Sequence, residues 1–190
     1  MKASLPVLVT LLGSCALVGC SPQDAASAAA PASAAIAAPT DDPCALVTDA
    51  EVRKSFPGAK SGKRDHSLDQ YKIATCKWEA TASTVVVQTY ALKDSVENEL
   101  RGRMLGSIDP LKPGAGAKVQ YDTIAGLGDE AKVVVEKADA EQGILGDVAV
   151  LGMRRGERLA VLFTSALVDG DRAATVKALE ALGRSAAPRL

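Results

Sequence analysis

Four cysteines punctuate this chain of 190 residues, and their placement constrains its fold more than any other feature. Cys15 and Cys20 sit in an apolar N-terminal stretch, whereas Cys44 and Cys76 lie in the mixed sequence that follows. Met1 and Lys2 form a short positive start, and an apolar run from Leu5 to Leu12 leads through Gly13-Ser14-Cys15-Ala16 into Leu17-Val18-Gly19-Cys20. The run ends at Val18, short of the roughly 20 residues that a helix needs to span a bilayer. It therefore reads as the apolar region of a secretion signal, with small residues where a peptidase must accept extended backbone.

The string Leu17-Val18-Gly19-Cys20 at the close of that run resembles the lipobox of bacterial lipoproteins. The resemblance implies cleavage before Cys20, a diacylglyceryl thioether on its sulfur, and an amide-linked third acyl chain such as palmitate. Two or three chains anchor a protein stably where one does so only marginally. Residues 1–19 are then the signal peptide, and the membrane is the first expected partner. In a cell with two membranes, Ser21 rather than Asp after the lipid cysteine implies sorting to the outer membrane, facing the periplasm. From Ser21 to Thr40 the chain is dominated by Ala, Ser and Pro, with Asp24 its only charge. Pro22, Pro31 and Pro39 interrupt any helix, and no apolar stripe exists to dock one. Residues 20–41 are read as the lipidated cysteine and a tether.

With Cys15 removed and Cys20 acylated, Cys44 and Cys76 remain, an even pair in an exported chain, which reads as a disulfide. Closing a loop of about 33 residues stabilises by ~3.7 kcal/mol in the chain-entropy treatment. A redox or metal pair is the alternative. It lacks a Cys-x-x-Cys motif, and a zinc site would lack its third and fourth ligands.

Charge and ring content exclude several partners. Lys plus Arg number 22 against 23 Asp plus Glu, a net charge of −1, so no basic surface for nucleic acid is expected. Aromatic residues are 3 %, which leaves little to stack bases or sugars. Hydrophobic residues reach 47 %, enough for a core and too many for a disordered chain.

Residues 42–190 form one domain, long enough to fold alone. Thr48-Asp49-Ala50-Glu51 is a capping box that opens a helix through Phe56, stopped by Pro57-Gly58. Gly62 to Gln70 is polar and reads as an exposed loop. Ile73–Ala80, with Cys76 and Trp78 on one face, and the β-branched Thr84–Leu92 predict a hairpin. Asp94 is the expected cap of a helix with Val96, Leu100 and Met104 at four-residue spacing. Pro110 to Gly116 is turn-rich. Ala131–Lys137, Asp147–Met153 and Arg158–Ser165 predict further strands, with a turn over Arg154-Arg155-Gly156-Glu157. A last helix from Asp169 or Asp171 carries Val176, Leu179 and Leu182. Both halves end as hairpin then helix. The fold class is α+β, an antiparallel sheet of about five strands with helices packed on one face.

Three strings in order along most of the chain carry a family likeness. They are Asp42-Pro43-Cys44-Ala45-Leu46-Val47-Thr48 with Glu51-Val52, then Cys76-Lys77-Trp78, then Gly126-Leu127-Gly128-Asp129-Glu130-Ala131. They resemble the D-P-C, C-x-W and G-x-G-D-E-A motifs of secreted bacterial lipoprotein domains of unknown function, common in actinobacteria. The resemblance implies the disulfide, a mixed fold and exposure outside the cytoplasm. It brings no catalytic residues, and it implies binding of a ligand or partner.

Other strings imitate catalytic motifs. Gly126–Ala131 fits a loose G-x-G-x-x-A pattern, but a strand follows where a pyrophosphate-binding helix should start, and Asp129 and Glu130 would repel phosphate. It reads as a tight turn into a strand. Pro113–Lys118 lacks the ending of a phosphate loop. Asp65-His66-Ser67 holds three triad residue types, yet adjacent side chains cannot converge as triad members do. His66, the one histidine, reads as a solvated loop residue. Trp78 is expected to pack over the disulfide. Arg154, Arg155 and Arg158 form the densest positive patch and a candidate surface for anionic headgroups or an acidic polymer; the plainer reading is a charged turn that keeps the sheet soluble.

No enzyme, cofactor or metal site is expected. The chain reads as a lipid-anchored, non-catalytic binding module of the cell envelope, with a small ligand or an envelope protein as partner. The alternative is an inhibitor, immunity or assembly protein for a secreted or envelope protein such as a wall hydrolase, with the loop from Pro57 to Gln70 inserted into its target. An enzyme would need a carboxylate pair in a pocket.

Overall fold

The computed structural model describes residues 40–190. The signal over 1–19, Cys20 and all but the last two residues of the 20–41 tether lie outside the described residues.

Asp42 caps α1 (Pro43–Leu46), its carboxylate accepting from Cys44 N at 2.9 Å, and Pro43 supplies a first-turn residue that needs no amide proton. The capping box forms at α2 (Asp49–Ser55): Glu51 N donates to Thr48 Oγ1 at 3.3 Å and Thr48 N to Glu51 Oε2 at 2.7 Å. Strand β1 (Lys63–Asp65) precedes β2 (Ala74–Glu79) and β3 (Thr84–Ala91), and α3 (Val96–Met104) follows. Then come β4 (Asp122–Thr123), β5 (Glu130–Glu136), β6 (Val148–Arg155), β7 (Arg158–Thr164) and α4 (Arg172–Ala186). The strands form one sheet in the order β1-β2-β3-β7-β6-β5-β4, antiparallel throughout.

The α+β class holds, with two corrections. The sheet has seven strands rather than five, because β1 and β4 are too short to leave a periodic signal. β1 lies inside the stretch expected to be an exposed loop. The helices also cover both faces rather than one. On one face Leu46, Val52, Trp78, Val85, Val87, Leu151, Met153, Leu162, Leu179 and Leu182 join α1, α2 and α4 to the sheet. On the other, Val96, Leu100 and Met104 of α3 meet Val134, Val148, Val150, Leu159 and Val161. Fully burying each such side chain is worth about 1.5–3 kcal/mol. β6 is buried without alternation from Val148 to Met153, as a strand sandwiched between helices must be. Gly152 permits the approach of α3, since a Cβ there would lie 2.7 Å from Val96 Cγ1.

Smaller differences are local. Ser95, not Asp94, caps α3, its Oγ accepting from Asn98 N at 3.2 Å, while Asp94 receives Asn98 Nδ2 at 3.0 Å. β6 extends through Arg155, which leaves Gly156 and Glu157 as the turn. Asp171 caps α4. Cys44 and Cys76 form the disulfide and fasten α1 to β2.

Candidate functional site

The α3 helix follows β3 but crosses β7 to lie on β5 and β6, touching β3 at Tyr90, so most of the β1–β3 half of that face carries no α-helix. On β2, Cys76 and Trp78 turn to the disulfide-side core, while Thr75, Lys77 and Glu79 turn to the uncovered side. Thr75 pairs with Gln88, Lys77 with Val86 and Glu79 with Thr84 on β3, and Val86 pairs with Phe163 on β7. These side chains, with Leu68 and Ser67 from the turn beyond β1, line a groove of about 530 Å³.

Its floor is buried. Val86 is 3 % exposed yet belongs to neither helix-covered core. Beside it, Gln88 is 5 % exposed and Thr75 1 %. Gln88 Nε2 donates to Thr75 Oγ1 at 3.4 Å, and Gln88 Oε1, buried, has no hydrogen-bond partner among the described residues. Charges around the groove pair off. Lys77 donates to Asp65 and, with Ser67, holds that carboxyl well below the usual carboxylate range. Lys60 Nζ lies 2.9 Å from Glu79 and lowers its carboxyl in the same way. The result is a largely apolar floor with one uncommitted amide end and a rim of compensated charge, features of the kind found in small-molecule sites.

The arginines of the expected patch do not share a face. Arg154 turns to the α3 side, its Nε 3.6 Å from Glu130. Arg158, paired across the hairpin with Arg155, donates to Leu190 O at 2.5 Å and to Thr40 O, and meets Asp41 at 2.8 Å. Of the three, Arg155 alone is exposed. Strand alternation separates 154 from 155, and intrachain partners occupy 154 and 158.

Gly126–Ala131 is a turn into β5, with no helix after it. Gly128 has φ +75°, and a Cβ there would lie 2.3 Å from Arg154 O. The acidic pair that follows holds neighbouring elements: Asp129 Oδ2 accepts from Gly156 N at 2.7 Å, and Glu130 Oε1 from Val96 N at 3.2 Å. Asp65, His66 and Ser67 do not converge, because Asp65 accepts from Ser67 N and Lys77, while His66 Nδ1 sits 2.7 Å from Asp69. Cys76 and Trp78 do share a face, and Trp78 Nε1 donates to Asp49 at 2.8 Å.

The segment from Pro57 to Gln70 is knitted to the sheet through β1 and through Lys60 N to Glu79 O at 2.8 Å, and to α2 through Gly62 N to Asp49 at 2.8 Å. Deleting it would remove an edge strand rather than a free loop. Among the described residues no group of three or more His, Cys, Asp or Glu could hold a metal ion, and no helix is long and apolar enough to cross a membrane.

Sequence reasoning did not single out Gln88, Thr75 or Phe163. The available signal was an amide inside Thr84-Val85-Val86-Val87-Gln88-Thr89, facing a β2 whose outward residues are polar. No family model, curated protein or solved structure matches the chain.

Proposed function

We propose that this chain is a lipid-anchored lipoprotein of a bacterial cell envelope that works as a non-catalytic binding module, with the groove over β2, β3 and β7 as its ligand site. The observation that carries the binding reading is the groove itself, a buried apolar floor in which the Gln88 amide keeps one end free of protein partners. Two features of the sequence support the anchor. One is the Leu17-Val18-Gly19-Cys20 string, and the other is the likeness of the D-P-C, C-x-W and G-x-G-D-E-A strings to secreted lipoprotein domains. Acyl chains on Cys20 hold the protein at the membrane, in the outer membrane where a cell has two.

Both parts are open to test. Labelling cells with a palmitate analogue should tag the wild type and leave Cys20→Ala unlabelled and released from the membrane fraction; equal labelling of the two would overturn the anchor. For the groove, a library of small neutral fragments is added to the oxidised protein while the Val86, Leu68 and Phe163 resonances are followed. Saturable shifts at those positions support the binding reading. Fragments that perturb only other surfaces, or none, count against it.

A further inference from the structure

The chemistry of the groove narrows what it takes. We infer that it binds a small uncharged molecule with a flat apolar body and one N–H or O–H group, received by the carbonyl of Gln88; this rests on the reading of the groove as the ligand site.

Gln88 is the centre of the inference. Its strand neighbours Val85, Val86 and Val87 are all apolar, and an apolar residue at 88 would pack there without any polar atom to satisfy. The amide instead spends its N–H on Thr75 Oγ1 across a long 3.4 Å contact and keeps a buried carbonyl with no donor among the described residues. Proteins seldom retain such an acceptor, and a lone one beside a groove marks the place for a donor brought from outside. Since the carbonyl oxygen itself is buried, the donor reaches it as the amide turns about its last side-chain bond, a torsion with a broad well, and the long contact to Thr75 Oγ1 is given up in exchange.

The rest of the groove sets the body of the ligand. Val86 and the half-buried Phe163 form adjacent apolar surfaces on a sheet floor, and Leu68 also lines the groove. A planar ring lies on such a floor and meets the Phe163 ring edge or face. About 530 Å³ is within the range of small-molecule sites. The rim argues against an ion. Asp65 is held by Lys77 and Glu79 by Lys60, so a charged ligand would have to break one of these pairs to gain a counter-charge.

Indole and benzofuran test the inference, because the two bicycles share a shape and only indole carries an N–H. Each is titrated into the oxidised chain from residue 20 onward, bearing Cys20→Ala, while the Val86 and Leu68 methyl and Phe163 ring resonances are followed. Indole should shift all three saturably, and benzofuran should bind at least about tenfold more weakly, as expected when a site built for a donor meets an analogue without one. Gln88→Met, which keeps length but removes the carbonyl, should bring indole down to the level of benzofuran. Equal binding of the two compounds to the wild type overturns the donor requirement while the groove remains a ligand site. No shift at these positions with either compound overturns the inference, and silence from a wide set of neutral fragments removes the groove reading with it.

Discussion

Glu51 holds two parts of the chain at once. Its carboxylate accepts from Thr48 N at 2.7 Å and Thr48 Oγ1 at 2.9 Å, and it meets Arg189 at 2.8 and 2.9 Å. The Arg189 guanidinium, followed by the Thr48 donors, lowers its pKa from 4.5 to about 2. A depressed carboxylate stabilises the fold above its unfolded pKa, and that contribution disappears as pH falls through the folded value. The difference in melting temperature between wild type and Glu51→Gln should therefore be largest above pH 5 and shrink between about pH 4.5 and 2. A gap that stays constant down to pH 2 would show that the charge of Glu51 is not what matters. Gln88 behaves differently. Gln88→Met removes a buried acceptor that lacks a protein donor but also the long Nε2 contact to buried Thr75 Oγ1, so the ligand-free stability should stay within about 1 kcal/mol of wild type; a loss of several kcal/mol would mean the amide is satisfied from within. The first residue announces itself through Thr48-x-x-Glu51, whereas the unpaired state of Gln88 depends on what the sheet sets across from it.

Elements were legible where local pattern and tertiary environment agree. The alternation of Thr75-Cys76-Lys77-Trp78-Glu79 shows a strand covered on one side, and that is the half of the sheet where the groove lies. The unbroken Val148-Ala149-Val150-Leu151-Gly152-Met153 is the signature of a strand covered on both, a cue that a one-faced arrangement leaves unexplained. What no local pattern conveys is that α3 crosses β7 instead of covering its own hairpin, and the uncovered groove follows from that crossing. Gly152 is where the crossing is tested. Gly152→Ala should cost about 1–3 kcal/mol by pressing on Val96, and Val96→Ala should recover part of it in denaturant unfolding. Strictly additive losses would mean that α3 shifts freely. The disulfide acts on the same scale, since across a sequence separation of 32 it joins α1 to β2 and closes a loop around α2 and β1. Cys44→Ser with Cys76→Ser should lower stability by about 2–4 kcal/mol, while the centre of the sheet stays folded under mild conditions.

At the scale of the described molecule, the chain enters and leaves through one knot. Thr40 N donates to Arg189 O at 2.9 Å, and Arg189 reaches Leu46 O at 2.8 Å. Arg158 donates to Thr40 O and to Leu190 O and pairs with Asp41, while Leu190 is 2 % exposed. An arginine near a hairpin tip looks from sequence like a solvated or ligand-seeking charge; only the path of two distant segments shows it as a clasp. Pull applied to the domain through residue 40 thus falls on groups tied to the last turn after α4, not on a fraying end. Arg158→Ala should release both segments together: amide exchange should quicken over residues 40–47 and 186–190, with β3, β6 and β7 as protected as before. Arg155→Ala is the control from the same hairpin and should leave exchange at both segments unchanged. Were Arg158 chiefly a surface charge, the two variants would exchange alike. Quickening confined to residues 40–47 would instead mean that Leu190 is held by its own burial rather than by the guanidinium.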